Sequence, residues 1–399
     1  MKEAKNGFEY LKKLRERTEE EKQPFYRFQR YLEKKAREEG VPLNGQFELT
    51  PLCNFDCKMC YAHLTPAQLH EQPIMTVEQW KELMHDAWEA GMMKVTLTGG
   101  ECLAYSGFKE IYLYLHNLGC EITVLTNGFL LGEEWLEFFK EHRPASIRIT
   151  LYGNNEEAYE RVTGHRGYQT VIDNIRRIRE ASLPLVITIT PNRFMGEDAF
   201  ETVRIARELN ENVIVNTGLF DPREETGRSG QSDDMDMEHY LRIYRYLEEL
   251  DGREIVEIPE KDLPRIGSPA RSAAATSADH AECANNASCG ECPERGFLCG
   301  AGRSSFVVDW KGTMIACNRF RVVQSHPMKE GFKAAWQKTN DTAANWPSVP
   351  ECKECPYSVV CSHCPANMLQ YAEPGKQPIE MCERVKYMVQ HGVWKIPEC

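Results

Sequence analysis

Along the first two thirds of the chain, apolar positions recur in two alternating rhythms. Short runs rich in aliphatic and β-branched residues at 46–51 (QFELTP), 93–98 (MKVTLT), 121–126 (EITVLT), 146–151 (SIRITL), 185–190 (LVITIT) and 213–218 (VIVNTG) read as strands. Between them, apolar residues fall three and four apart, which predicts helices over 76–90, 107–118, 133–142, 168–181 and 197–209, and another over 236–250. Thr76, followed by Glu78 and Gln79, carries a capping pattern at the start of the first of these. Six strands separated by helices predict an α/β fold with a parallel sheet and right-handed crossovers. Functional residues in such a sheet belong at the carboxyl ends of the strands.

The rhythm stops near residue 252. Residues 1–40 read as a charged helix with a break near Pro24. Residues 268–290 are small and polar, as a linker is. The expected organisation is a helical arm (1–45), a β/α unit (46–250), a linker (251–290) and a cysteine-rich module (291–399). The last of these lacks the core to fold without metal staples. No solenoid-type repeat is present.

Composition narrows the function. The 399 residues (45.9 kDa) are 42% apolar and 27% charged, and their formal net charge is −12. A nucleic-acid partner calls for a basic footprint that the chain as a whole lacks. The first forty residues hold 12 Lys/Arg against 9 Asp/Glu, an excess that a solvated helix accounts for. No apolar run approaches the ~20 residues that cross a bilayer, and the charged N-terminus has no apolar signal region. A cytoplasmic protein without a membrane partner is expected. Its 16 cysteines are unusual there, because cytosolic reductants oppose disulfides; clustered cytosolic cysteines are metal or redox groups.

Cys53, Cys57 and Cys60 follow directly on the first strand, with Tyr61 next. Three thiolates at x3 and x2 spacing can wrap one corner of a cubane and leave the fourth iron without a protein ligand, whereas most iron–sulfur clusters take four cysteines. The zinc alternative wants four ligands in paired C-x2-C units, and no fourth is near. C-x3-C-x2-C followed by an aromatic, after the first strand of a β/α fold, resembles the radical S-adenosylmethionine (radical SAM) superfamily. The resemblance implies a partial (β/α)6 TIM-like barrel. It also implies a [4Fe–4S] cluster whose open iron binds the methionine end of S-adenosylmethionine, reductive cleavage to a 5′-deoxyadenosyl radical, and an external electron donor of flavodoxin or ferredoxin type. By the same resemblance Gly99-Gly100-Glu101, at the end of the second strand, contacts the methionine amino group, Tyr61 lies near the adenine, Thr150 contacts the cofactor, and Arg161 serves the methionine carboxylate. Thr126-Asn127-Gly128 ends the third strand as in the family. Cys102 departs from it, since proline is usual there; a small buried thiol is the plainer reading.

Further on, Cys299, Gly312 and Cys317 form C-x12-G-x4-C, and Cys352, Cys355, Cys361 and Cys364 form C-x2-C-x5-C-x2-C, with Cys382 beyond. Together these resemble the SPASM extension of peptide- and protein-modifying radical enzymes, although the last gap is x2 (Ser362-His363) where the family has x3. The resemblance spans about residues 46–385 and implies two auxiliary [4Fe–4S] clusters, three in all. One would use Cys299, Cys317 and Cys364 with a fourth ligand upstream, Cys292 before Cys289 or Cys283. The other would use Cys352, Cys355, Cys361 and Cys382. Spacing alone also fits two zinc sites. Cys102, Cys120, Cys283, Cys289 and Cys399 are left over.

The expected reaction is hydrogen abstraction from a ribosomally made precursor peptide, giving a thioether or carbon–carbon cross-link or an epimerised centre. One alternative is maturation of a folded protein, as in the sulfatase-maturing subgroup. That subgroup carries an Asp directly after the second SPASM cysteine, where this chain has Asn318; Asp309 and Asp221 are other candidate bases. Another alternative is a non-catalytic, zinc-stapled binding protein. Only 52 residues precede Cys53, fewer than a leader-binding winged helix occupies, so leader recognition is expected elsewhere. The segment 221–228, with Arg223 and Arg228, is expected to line the substrate site.

Overall fold

A computed structural model describes residues 19–69, 73–216, 218–220, 222–226, 236–253, 255–263, 296–353 and 355–396. Six parallel strands run in chain order: β1 (Asn44–Glu48), β2 (Lys94–Thr98), β3 (Glu121–Thr126), β4 (Ser146–Thr150), β5 (Leu185–Ile189) and β6 (Val213–Val215). Their connecting segments carry helices, as in a partial β/α barrel. Helix α1 (Glu19–Glu39) precedes β1, and α2 (Val77–Glu89) follows it. The other crossovers are α3 (Phe108–Asn117), α4 (Glu133–Glu141), α5 (Glu156–Thr163) with α6 (Tyr168–Glu180), and α7 (Asp198–Leu209); α8 (Met237–Leu250) follows β6.

The capping pattern at Thr76 is realised. Its hydroxyl accepts from the Gln79 amide N–H, and the Gln79 side chain accepts from the Thr76 N–H. Two expectations are corrected. Helix α1 runs through Pro24 without a break, although at its sixth position the proline forfeits the bond to the Glu20 carbonyl. The first strand begins two residues early and ends at Glu48, because its pairing with β2 sets its limits. Helix α5 and the strands of the C-terminal region had no expectation.

Those later strands change the architecture. β7 (Ser305–Val308) pairs in parallel with β1 on the edge opposite β2, and β8 (Met314–Ile315) pairs antiparallel with β7. The sheet therefore has eight strands in the order β6-β5-β4-β3-β2-β1-β7-β8. Gly312 (φ +79°) makes the turn between the last two. The Asp309 carboxylate accepts there from the Lys311 and Thr313 N–H groups. The glycine of the C-x12-G-x4-C pattern is thus a hairpin turn.

An aromatic chain crosses the join. Phe47 of β1 meets Trp80 of α2 edge-on at 5.9 Å and Phe306 of β7 at 5.8 Å. Phe306 in turn meets Phe332 and Trp336 of α9 (Phe332–Ala344) at 5.3 and 5.9 Å. Helix α1 is tied to the same region. Arg37 donates to the Leu298 carbonyl, Arg303 to the Arg37 carbonyl, and Trp336 to the Gly40 carbonyl. Replacing Phe306 with Ala is expected to lower stability by about 3–5 kcal/mol, as read by urea denaturation followed through tryptophan fluorescence.

Candidate active site

The cysteine loop leaves β1 and is pinned at both ends. The Asp56 and Lys58 N–H groups donate at 3.0 Å to the carbonyls of Thr163 and Val162, which close α5. Leu64 N–H reaches back to the Pro51 carbonyl at 3.1 Å. Cys53 Sγ accepts from the Phe55 N–H at 3.4 Å and from Asn127 Nδ2 at 3.6 Å, and Cys60 Sγ accepts from the His63 N–H at 3.3 Å. Donors aimed at sulfur favour the thiolate that a metal requires. Burial meanwhile pushes the Cys53 thiol up to about 12, so an added positive charge is what would bring it into the thiolate form. Phe55 lies under the loop, stacked on His165 at 4.9 Å and edge-on to Phe129 and Tyr159, which keeps water from this side. Among the described residues no three His, Cys, Asp or Glu groups converge on a single-ion site. A cubane does not ask for that, since each thiolate takes its own iron. The donor set and its apolar shell fit a three-cysteine [4Fe–4S] cluster.

The Gly99–Glu101 segment crosses directly against the start of this loop. Gly100 N–H donates to the Thr50 carbonyl at 2.6 Å and Glu101 N–H to the Leu52 carbonyl at 2.9 Å. A Cβ at Gly99 (φ +148°) would stand 2.4 Å from the Thr50 oxygen, and one at Gly100 2.3 Å from the Leu52 oxygen. Only glycines permit this approach. The Glu101 carboxylate is fully buried, which raises its pKa against the opposing effect of its hydrogen bonds. Oε1 accepts from Thr126 Oγ1 (2.8 Å) and the Leu103 N–H (3.0 Å), and Oε2 from the Asn127 N–H (2.8 Å). Oε2 keeps room for one more donor. Asn127 also bonds Asn54 at 2.8 Å, so the carboxyl ends of β1, β2 and β3 are laced together around Cys53.

Inside the barrel, four side chains close a ring. Arg223 Nη2 donates to Glu48 Oε1 at 2.7 Å and to Asn318 Oδ1 at 3.2 Å. Asn318 Nδ2 donates to the Tyr61 hydroxyl at 3.1 Å, and that hydroxyl donates to Glu48 Oε1 at 3.1 Å. The guanidinium also lies over the Tyr61 ring, 5.1 Å from its centre. Burial works against the Arg223 charge, but Glu48, with Tyr61 and Asp309, more than offsets it and raises the pKa. A cavity of about 290 Å³ adjoins the ring, walled by Gln46 and Thr96 from the strands and by Phe220, Cys317, Asn318 and Arg319.

The later cysteines fall into two neighbourhoods. Cys317 is half-buried, and its thiol pKa is raised by desolvation and through Cys364 and Cys299 beside it; the Arg319 and Phe320 N–H groups point at its sulfur. Cys317 and Cys364 pack on the apolar cluster of Phe297, Ala316 and Phe320. Cys355 and Cys361 pack instead on Tyr357, Val385 and Val389, and Cys382 has Cys355 beside it; Cys352, buried, lies one turn before Cys355. His363 (φ +46°) turns the chain sharply between Cys361 and Cys364, which accounts for the shorter gap. Cys283, Cys289, Cys292 and Cys399 lie outside the described residues, as do Asp221 and Arg228.

The sequence pattern of the Radical SAM superfamily matches residues 47–206, which span the cysteine loop and the glycine contact. The match assigns residues 47–206 to a radical SAM domain. The sporulation killing factor maturation protein SkfB of Bacillus subtilis is 26% identical over 41% of this chain and 39% of its own length, so the chain spans well under half of that relative. The AdoMet-dependent heme synthase of Methanosarcina barkeri is 24% identical over 82% of this chain and 92% of its own. The crystal structure of Streptococcus suis SuiB bound to precursor peptide SuiA covers 86% of this chain and 76% of that chain with a TM-score of 0.62 at 15% identity, a likeness of fold that runs beyond residue 206. No described helix is long and apolar enough to cross a membrane.

Within this radical SAM core the sequence candidates divide. Cys53, Cys57, Cys60, Tyr61, Gly99, Gly100 and Glu101 come together. Thr150 ends β4 beside the half-buried Tyr152, which lies near Cys57 and Cys60. Arg161 is turned outward: its guanidinium pairs with Asp198 and donates to the Phe194 carbonyl, half-exposed. Glu48 was missed, although its place at the carboxyl end of β1 was the available signal. Replacing Glu101 with Ala strands the Thr126 hydroxyl and the Leu103 and Asn127 amides, so metal-free protein should lose roughly 3–5 kcal/mol in a urea titration.

Proposed function

We propose that this radical SAM enzyme modifies a ribosomally made peptide, using one [4Fe–4S] cluster on Cys53, Cys57 and Cys60 and two auxiliary clusters in the C-terminal module. The observation that carries the reading is the cavity that β1, β2 and β7 share with the Cys317–Arg319 segment. It brings Cys317, a candidate auxiliary-cluster cysteine, and Asn318, which bonds Tyr61 next to the cysteine loop, to the wall of a cavity inside the barrel. When bound, the cluster and S-adenosylmethionine supply reductive sulfonium cleavage and a carbon radical that takes hydrogen from the substrate.

The chain's own residues hold and orient. Glu101 Oε2 would offer its remaining lone pair to the methionine ammonium. Asn127 steadies Cys53. Phe55, Tyr152 and Tyr159 keep the loop dry, which protects a reactive centre from water. Cys299, Cys317 and Cys364, with Cys292 as fourth ligand, would form one auxiliary set; Cys352, Cys355, Cys361 and Cys382 would form the other. Asn318 accepts no proton, which speaks against the sulfatase-type base at this position. An external flavodoxin- or ferredoxin-type donor would supply the electron.

A second reading is a heme-forming reaction of the kind the Methanosarcina barkeri relative is named for; the length of that alignment favours it. Anaerobic reconstitution tests the shared core. About 12 irons per chain, falling to about 8 in a Cys53/Cys57/Cys60→Ala variant with 5′-deoxyadenosine release abolished, is the expected result. Zinc in place of iron, or no nucleoside from the wild type, would refute it.

A further inference from the structure

We infer that Glu48 and Arg223 form a recognition pair for one backbone amide of the substrate, Arg223 donating to its carbonyl and Glu48 accepting from its N–H. The inference rests on the peptide reading above and names the group that reading would need to hold. Arg223 engages its partners through Nη2 alone. Its Nε and Nη1 have no hydrogen-bond partner among the described residues, and neither has Glu48 Oε2. Both side chains are buried, with 3% and 2% of their surface exposed. Unmet polar atoms of a buried ion pair are destabilising, and an apolar pair of similar volume would fill the same space without them. A ligand that meets them accounts for their retention.

The chemistry of the unmet atoms selects the ligand. Arg223 offers free N–H groups, Glu48 offers a free acceptor, and the pair together is neutral. A carboxylate at Arg223 would face the negative Oε2, and an ammonium at Glu48 would face the guanidinium. A peptide unit presents an acceptor and a donor without charge and satisfies both sides. Of the two other carboxylates in the field of Arg223, Asp309 is already taken up by the Lys311 and Thr313 amides and by Arg321, and Glu225 is paired with Lys311. Asn318 reaches Arg223 as a neutral side chain. A carboxylate in its place would draw a second anion onto the guanidinium and leave it fewer free donors.

Position agrees with this chemistry. The Arg223 N–H donates to the Tyr61 carbonyl at 3.0 Å, one residue after Cys60. Asn318 follows Cys317 and lines the cavity together with Phe220, which packs on Tyr61 at 5.0 Å. Tyr61 and Asn318, which bond the pair, are next in sequence to Cys60 and Cys317.

The test uses reconstituted holoenzyme with S-adenosylmethionine and two probes, N-acetyl-Ala-Ala N-methylamide and the N-acetyl-Ala-Ala free acid. Binding is read by saturation-transfer NMR titration. The wild type should prefer the amide. The double variant E48L/R223M, which strands no charge and whose fold is checked by near-UV circular dichroism, should bind the amide roughly tenfold to a hundredfold more weakly. Preference of the wild type for the free acid would overturn the inference in favour of an anion site. Equal amide affinity in wild type and variant would overturn it in favour of a structural, water-filled pair. Nucleoside release from the same wild-type preparation is scored separately, so failure of the radical chemistry and failure of amide recognition give different results.

Discussion

Strand β1 is paired on both edges, with β2 on one side and β7 on the other, and nearly every feature of the site depends on that double pairing. A strand held on both edges has its register set twice. Phe47 therefore points outward into the aromatic chain with Trp80 and Phe306, and Glu48 points inward to Arg223. A slip of one residue would exchange the two and empty the core. The cysteine loop begins five residues after Glu48, so its starting point inherits the same register.

The β1–β7 pairing also joins chemistry to chemistry. β7 and its hairpin with β8 lead into Cys317 and Asn318, which brings both to the wall of the barrel cavity. The barrel half and the cysteine-rich half are consequently not two beads on a linker. They share one sheet, one aromatic cluster and one buried ring of side chains. Signals that would have revealed this were weak. SFVV at 305–308 is a short apolar run among turns, and a parallel partner 261 residues earlier leaves no local trace.

Residues dictated by close backbone contact or by metal spacing were legible along the chain. Gly99 and Gly100 are required because any Cβ would collide with the Thr50 and Leu52 carbonyls. The cysteine spacings reflect loops short enough to be read locally. Arg161 illustrates the opposite case. Its helix was itself unforeseen, and whether its side chain turns toward the barrel or toward Asp198 depends on how α5 packs against the segment before α7.

By itself, the sequence determined the strand–helix alternation, the capping at Thr76, the three-cysteine loop after the first strand and the glycines that let β2 approach it. Each of these is a short-range requirement, satisfied by neighbours along the chain or by the bare geometry of a backbone. Tertiary structure alone decided that β7 completes the sheet beside β1 and that Glu48, Tyr61, Arg223 and Asn318 meet. These four come from positions as far apart as 48 and 318, and nothing local requires their contact. It arises because a sheet edge must be covered and a buried charge must find its counter-charge, and both conditions are met only once the whole chain has folded.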